Sequence, residues 1–349
     1  MSETVHIAGR PIGADHEPYI ICELSGNHNG SLERALSLVD AAAATGADAI
    51  KMQTYTADTL TMDHDGPGFR IEGGLWDGRT LYDLYSEAHT PFAWHKPIFD
   101  RAAEHGVPIF STPFDETAAD LLEELGAPAY KIASFEVIDL PLIAHVARKG
   151  KPMIISTGMA NLGEISDAVR TARENGCGDL ILLHCISSYP APAEDSNLRT
   201  VPHLGEAFGC VPGLSDHTMG SAVSVASIAL GGAVVEKHFT LARADGGPDA
   251  AFSLEPPEFR ALVEDCKTAW RARGKPNYQL VGSERGSTVF RRSIYAMTDI
   301  PAGAPFTKAN VRSIRPGYGM SPARMDEVLA ATAAKDIARG TPITPDLLD

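Results

Sequence analysis

From Tyr19 to about residue 274 the chain alternates, eight times over, a short run of aliphatic and β-branched residues with a longer Ala- and Leu-rich amphipathic stretch. The short runs are residues 19–23, 49–53, 107–111, 129–132, 152–156, 180–184, 211–214 and 234–238. Between them, stretches such as 32–45, 117–125 and 164–175 carry apolar residues at helical spacing. Glycine follows several of these (Gly46, Gly106, Gly126, Gly150, Gly176), where a left-handed residue ends a helix. Strands that are apolar on successive residues need cover on both faces, and alternating helices supply it around a parallel sheet. Eight such units in roughly 255 residues predict a (β/α)8 TIM barrel.

The pattern breaks twice. After the second run, residues 54–91 form an insertion far longer than the ~2–6 residues expected of such a loop. It carries Tyr55, Trp76, Arg79 and Tyr82, and is expected either to wall the site or to be a surface excursion. Beyond residue 274 the helix period stops. Residues 275–286 read as a Pro/Gly/Ser-bearing linker, and residues 287–349 as a small α+β or mostly β domain. Its expected pieces are strands at 293–297 and 311–314, a turn at 301–303 and a helix at 325–331. From Arg285 to Arg324 it has seven basic residues against one acid, Asp299, which suits a nucleic-acid surface or, better, a cover over an anionic site.

Composition narrows the class. No apolar run reaches the ~18–20 residues of a membrane span, and His6, Arg10, Asp15, His16 and Glu17 are unlike a signal peptide. Five cysteines without a C-x-x-C read as reduced thiols in a cytoplasm. A net charge of −15 argues against nucleic acid as the main partner.

A barrel places its site at the C-terminal ends of its strands. Polar residues stand at all eight: Glu23; Lys51 and Gln53; Ser111 and Thr112; Lys131, Ser134 and Glu136; Ser156 and Thr157; His184, Ser187 and Tyr189; Ser215, Asp216 and His217; Glu236, Lys237 and His238. A mouth lysine serves as a Schiff base, a phosphate clamp or a structural ion pair. The hydroxyls of Ser134, Ser156 and Thr157 around Lys51 and Lys131, before a helix start, favour the clamp. Neither G-x-x-x-x-G-K-[ST] nor G-x-G-x-x-G occurs. His217 and His238 end neighbouring strands and are candidates to share a divalent metal, with Asp216, Glu236 and Asp249 as supporting carboxylates.

The ordered motifs I-C-E-L-S-G-N-H-N-G-S (21–31), K-M-Q-T-Y (51–55), Y-K-I-A-S-F-E (130–136), S-T-G-M (156–159), G-L-S-D-H-T (213–218), E-K-H-F-T (236–240), G-G-P-D (246–249) and R-P-G-Y-G (315–319) resemble the sialic acid synthase family along nearly the whole chain. Within it, R-T-L-Y-D-L-Y (79–85), S-T-P-F-D-E-T (111–117), residues 244–256 and F-R-R-S-I-Y (290–295) look most like pseudaminic acid synthases. The resemblance implies a TIM barrel followed by an antifreeze-like (SAF) domain. It implies condensation of phosphoenolpyruvate with an N-acetylated amino sugar, a divalent metal (most often Mn²⁺, with Mg²⁺ or Co²⁺ as alternatives), and a domain-swapped homodimer. It puts phosphoenolpyruvate on Lys51, Lys131, Ser134, Ser156, Ser187 and Ser215, and the metal on His217 and His238. Gln53, Tyr189 and a partner chain's Arg315 fall to the sugar, and proton handling to Glu23, with Glu136 and Asp249 as competitors. Where Ser187 stands, sialic acid synthases often have asparagine, so that contact departs from the pattern. Phe252 and Tyr82 are the expected apolar partners of a 6-deoxy sugar, and Gln53 or Asp249 of a second acetamido group. The rival readings are a neuraminate or legionaminate synthase, a metal-free Schiff-base aldolase, and a non-catalytic carbohydrate-binding barrel.

Overall fold

A computed structural model of the chain describes residues 4–349 and divides into two compact units, Met1–Gly274 and Lys275–Asp349. In the first, eight parallel strands close into a barrel: β1 (Tyr19–Glu23), β2 (Ala49–Thr54), β3 (Ile109–Pro113), β4 (Tyr130–Ile132), β5 (Met153–Ser156), β6 (Leu180–Cys185), β7 (Val211–Asp216) and β8 (Val234–His238). Closure is made by β8 against β1, with Val234 opposite Tyr19 and His238 opposite Glu23. Each strand is followed by a covering helix: α1 (Leu32–Ala44), α2 (Phe92–Glu104), α3 (Glu116–Glu124), α4 (Leu140–Ala147), α5 (Leu162–Glu174), α6 (Thr200–Phe208), α7 (Ala222–Ala229) and α8 (Pro256–Arg273).

Local chemistry sets these boundaries. Ser31 caps α1 by accepting the Arg34 N–H, and Asp115 caps α3 through Thr117 and Ala118. Asn161 and Glu164 form a reciprocal capping box on α5. After α1 and α3, Gly46 and Gly126 take φ of +83° and +76°, the left-handed turn a side chain resists. The strands are buried except at half-buried Gln53 and Pro212, and the core runs continuously from their side chains to the inner faces of the helices. A short hairpin (Val5–Ile7 with Arg10–Ile12), which the helical periodicity did not announce, adds Val5, Ile7 and Ile12 to that core.

The second unit has its own core, built on Ile294, Phe306, Val311, Val328, Ile337 and Ile343. Its two strands, β9 (Ser293–Ala296) and β10 (Val311–Ile314), pair antiparallel, and a short helix spans Met325–Leu329. The expected linker is not wholly irregular: a 3₁₀ helix over Gly282–Phe290 begins inside it. No helix among the described residues is long and apolar enough to cross a membrane.

Candidate functional site

Side chains on a strand alternate faces, so only every second polar residue at a strand end enters the barrel mouth. Glu23, Lys51, Gln53, Thr112, Lys131, Ser156, Cys185, Ser215, His217, Glu236 and His238 all line one small cavity of about 60 Å³ at the C-terminal ends of the strands. Their neighbours face the helices instead. His184 donates to the Ser196 carbonyl, Thr157 to that of Leu183, and Ser111 to that of Met52. Lys237 and Asp216 form a buried ion pair at 2.9 Å, and Asp216 also accepts from Thr218 and from Ser224 on α7. Asp216 is therefore no support for the histidines, contrary to its expected role. It is one residue out of phase with Ser215 and His217.

The two lysines sit among carboxylates. Lys51 lies 2.6 Å from Glu23 and 3.5 Å from Glu236, and donates to Thr112 at 3.2 Å. Lys131 has only a 3.7 Å contact with the other Glu236 oxygen. Burial pulls both ammonium groups toward neutrality; at Lys51 the two carboxylates outweigh it and raise the pKa, while at Lys131 burial prevails and lowers it. Lys131 is thus the more loosely held cation, and the Ser156 hydroxyl nearby is buried with no hydrogen-bond partner. On the same side Gly158 donates its N–H to Ser134 at 3.1 Å. A Cβ on Gly158 would stand 2.4 Å from the Ser187 hydroxyl and 2.8 Å from that of Ser134. The loops after β4, β5 and β6 thus bring Ser134, Gly158 and Ser187 together. Together with the lysines, these N–H and O–H donors make a cradle for a polyanion.

His217 and His238 stand with ring centroids 5.3 Å apart, packed against Tyr189 and Phe252. The Nδ1 of His217 meets the Ile186 carbonyl at 2.9 Å, the contact that orients a ligating imidazole and leaves Nε2 available. The Nδ1 of His238 is buried without a partner. No cluster of three or more His, Cys, Asp or Glu suited to a metal exists among the described residues, so the chain offers two imidazoles. That donor set fits a divalent ion whose remaining positions go to water or substrate oxygens.

A larger cavity of about 390 Å³ shares Gln53, Phe114, Phe135, Tyr189 and His238 with the first. Its polar lining includes Ser25, Gln53, Glu136 and Asp249. Gln53 donates to Glu23 (3.0 Å) and Ser25 (3.2 Å), and Ser25 in turn bonds Asp249. Glu136 keeps one buried oxygen without a partner, and burial raises its pKa to about 7 despite the opposing charge of Lys131. Glu23, by contrast, is held by both Lys51 and Gln53.

The 54–91 insertion walls this cavity through Tyr55, Trp76 and the helix Leu81–Ala88. That helix turns Leu81, Leu84, Tyr85 and Ala88 inward, the i, i+3, i+4, i+7 face. Tyr82, expected to touch a deoxy sugar, is off that face and bonds Asp58 at 3.2 Å, while Arg79 pairs with Asp83 and Glu87. Phe252, the other expected apolar contact, is buried behind the histidine rings rather than in the cavity wall. Among the lining residues that escaped the sequence reading, Cys185 is betrayed only by strand parity and Tyr85 by helical spacing from Leu81, while Ser25, in a turn at φ +50°, gives no periodic signal. Arg315 follows β10 in the second unit, exposed and with no side-chain partner among the described residues.

The NeuB family profile matches residues 38–278 of this chain, and the SAF domain profile residues 291–349. The chain belongs to the NeuB family. Pseudaminic acid synthase of Campylobacter jejuni subsp. jejuni serotype O:2 is 43% identical over 326 residues, 93% of this chain and 95% of the relative. The Helicobacter pylori enzyme of the same name is 40% identical over 333 residues, covering 94% and 97%. Among solved structures, the N-acetylneuraminic acid synthetase of Leptospira borgpetersenii, crystallised with citrate, superposes with a TM-score of 0.74 at 29% identity, over 82% of this chain and 95% of that one. The two profiles together account for both units, the barrel and the SAF domain that follows it.

Proposed function

We propose that this chain is a pseudaminic acid synthase, condensing phosphoenolpyruvate with 2,4-diacetamido-2,4,6-trideoxy-L-altrose to give a nine-carbon 2-keto acid and phosphate. Two lines support the reading: relatives of that name match over nearly the whole chain, and a polyanion cradle adjoins a larger, mostly apolar cavity. The cradle carries the argument. Lys51, Lys131, Ser134, Ser156, Ser187, Ser215 and the Gly158 N–H hold the phosphate and carboxylate. The acceptor lies toward Gln53, Tyr189 and Asp249.

In the reaction, C3 of the enol ester forms a bond to the acceptor's aldehyde carbon. Water adds at C2, and the tetrahedral intermediate expels inorganic phosphate. The aldehyde oxygen must gain a proton, and Glu136, neutral up to about pH 7 and unpartnered at one oxygen, is the better placed donor. Glu23 serves instead to orient Lys51 and Gln53. Charge balance speaks for the metal: the two lysines are already matched by Glu23 and Glu236, so a bound trianion calls for further positive charge. A divalent ion, Mn²⁺ by preference, held by His217 and His238 would supply that charge and polarise the acceptor carbonyl. Arg315 is the second source, reaching the site from the SAF domain of a partner chain in a homodimer. Five buried cysteine thiols suit a reducing cytoplasm. The lysines' salt-bridged setting among hydroxyls favours the clamp over a Schiff base. Competition kinetics test the substrate: a higher kcat/KM for N-acetylmannosamine than for the diacetamido sugar would overturn the assignment.

A further inference from the structure

The lining of the larger cavity is mixed in chemistry. Ser25, Gln53, Glu136 and Asp249 bring polar groups, whereas the insertion brings the aliphatic Leu60, Ile71, Leu81 and Leu84 beside Tyr55, Trp76 and Tyr85. A sugar hydroxyl turned toward these aliphatic side chains would lose its hydrogen bonds to water and gain none. The ligand end that fits there bears methyl groups. The cavity, at about 390 Å³, is within the usual range of about 300–1,000 Å³ for small-molecule sites.

The wall is also built to keep its shape. Ile71 and Arg79, Gly78 and Ile71, and Leu81 and Phe69 are joined by backbone hydrogen bonds of 2.8–2.9 Å, folding residues 69–81 into a tight loop. Thr80 caps the helix that follows by accepting the Asp83 N–H. The indole N–H of Trp76 then donates to the Pro248 carbonyl at 2.9 Å, and its ring lies 5.8 Å from that of Tyr189. That single bond ties the insertion to the loop that carries Asp249.

We infer that the 54–91 insertion is the acceptor-specificity element: Leu60, Ile71, Leu81 and Leu84 form an aliphatic subsite for the acyl methyl and deoxy-carbon ends of the acceptor, and Trp76 latches it against the Asp249 loop. The inference rests on the proposed function for the class of acceptor, an acylated and deoxygenated sugar. Ile71 and Leu81 lie outside the phosphoenolpyruvate cradle, so their effect is on acceptor choice.

The test compares the full-length wild type with Leu81→Gln, Ile71→Gln and Trp76→Phe, using the 6-deoxy diacetamido sugar and its 6-hydroxy analogue. Wild type favours the deoxy sugar by up to about 100-fold in kcat/KM, the most an apolar pocket achieves against an added hydroxyl. Leu81→Gln and Ile71→Gln shrink that ratio by about tenfold and raise the sugar KM, with the phosphoenolpyruvate KM within about twofold of wild type. Trp76→Phe keeps the ring but not the donor, and raises the KM of both sugars. An unchanged deoxy-to-hydroxy ratio in folded Leu81→Gln or Ile71→Gln overturns the subsite; if both glutamine variants misfold, an unchanged sugar KM in Trp76→Phe overturns it. Wild-type enzyme that turns over neither altrose sugar defeats the functional reading itself, a distinct result seen without any variant.

Discussion

A Glu136→Gln variant removes the titratable proton of a carboxyl lining the larger cavity and keeps its shape. Burial raises the Glu136 pKa to about 7, against an ordinary 4.5. Lys131 and the residue's own backbone N–H oppose the shift, Asp139 adds to it, and Tyr85 faces the carboxyl from the insertion helix. The native state therefore holds a proton that the unfolded chain has released. Stability from this group falls as pH climbs from 4.5 toward 7 and stays low above it; below 4.5 the effect is absent. A difference of 7 − 4.5 = 2.5 units corresponds to about 3 kcal/mol at most, and partial access to water brings it to about 2 kcal/mol. Glutamine does not titrate, so the variant gains on wild type as pH rises. At pH 5 most of that difference is absent, and at pH 8 it should appear as a relative Tm gain of about 3–6 °C.

Catalysis should move the other way. With no proton to give, kcat should fall by about 10²–10⁴. The wild-type rate should decline above about pH 7 as Glu136 ionises, and the residual rate of the variant should lack that limb. Thermal unfolding at pH 5 and pH 8, together with phosphate release across the same range, reads both arms. Equal Tm changes at the two pH values, or a kcat near wild type, would refute the assignment of a buried, proton-carrying carboxyl to this position.

Gly158→Ala forces the Ser134 and Ser187 hydroxyls out of their rotamers, at ~0.5–1.5 kcal/mol each, so the KM for phosphoenolpyruvate should rise about 10–100-fold with the sugar KM little changed. Stripping divalent metal with EDTA should abolish turnover and Mn²⁺ restore it. His217→Ala and His238→Ala should fold yet hold no metal by elemental analysis, and full activity of stripped enzyme would sink this. Lys237→Met leaves Asp216 buried and unpaired, and should cost about 3–5 kcal/mol of stability by denaturant melt while the folded fraction keeps its KM values. Mixing Arg315→Ala chains with Lys131→Ala chains should restore part of the activity in verified mixed dimers, and no recovery would remove the cross-chain role of Arg315.

The barrel was legible because its signals are local and repeated. All eight strands lie within two residues of their expected limits, and the glycine stops fall where the helices end. The site was legible by type but not by face. Ser215, Asp216 and His217 look equally suited to a mouth, and so do Glu236, Lys237 and His238. Which of them point inward depends on strand registration: Glu236 is opposite Ser215 and Lys237 opposite Asp216, so one pair enters the cavity and the other faces α7. Composition carries no trace of that registration. Glu236, expected only as support, is therefore the carboxylate between both lysines.

That the insertion walls a cavity was legible, but which of its side chains face inward was not, for another reason. Its helix is eight residues long, too short for a clear amphipathic period, so Tyr82 and Tyr85 were indistinguishable until the loop before them was folded. This difference bears on where acceptor selectivity resides. The cradle is fixed by the barrel: moving Lys51 or Lys131 means moving a strand paired on both sides. The chain leaves the sheet after Thr54 and re-enters it at Ile109, and the insertion is held by its own backbone and side-chain bonds and by Trp76, through its bond to Pro248 and its ring contact with Tyr189. Side chains there can change without disturbing the ladder. On the proposed reading, a donor common to the reaction would be bound by the rigid part of the fold, and the variable acceptor by the part most free to vary.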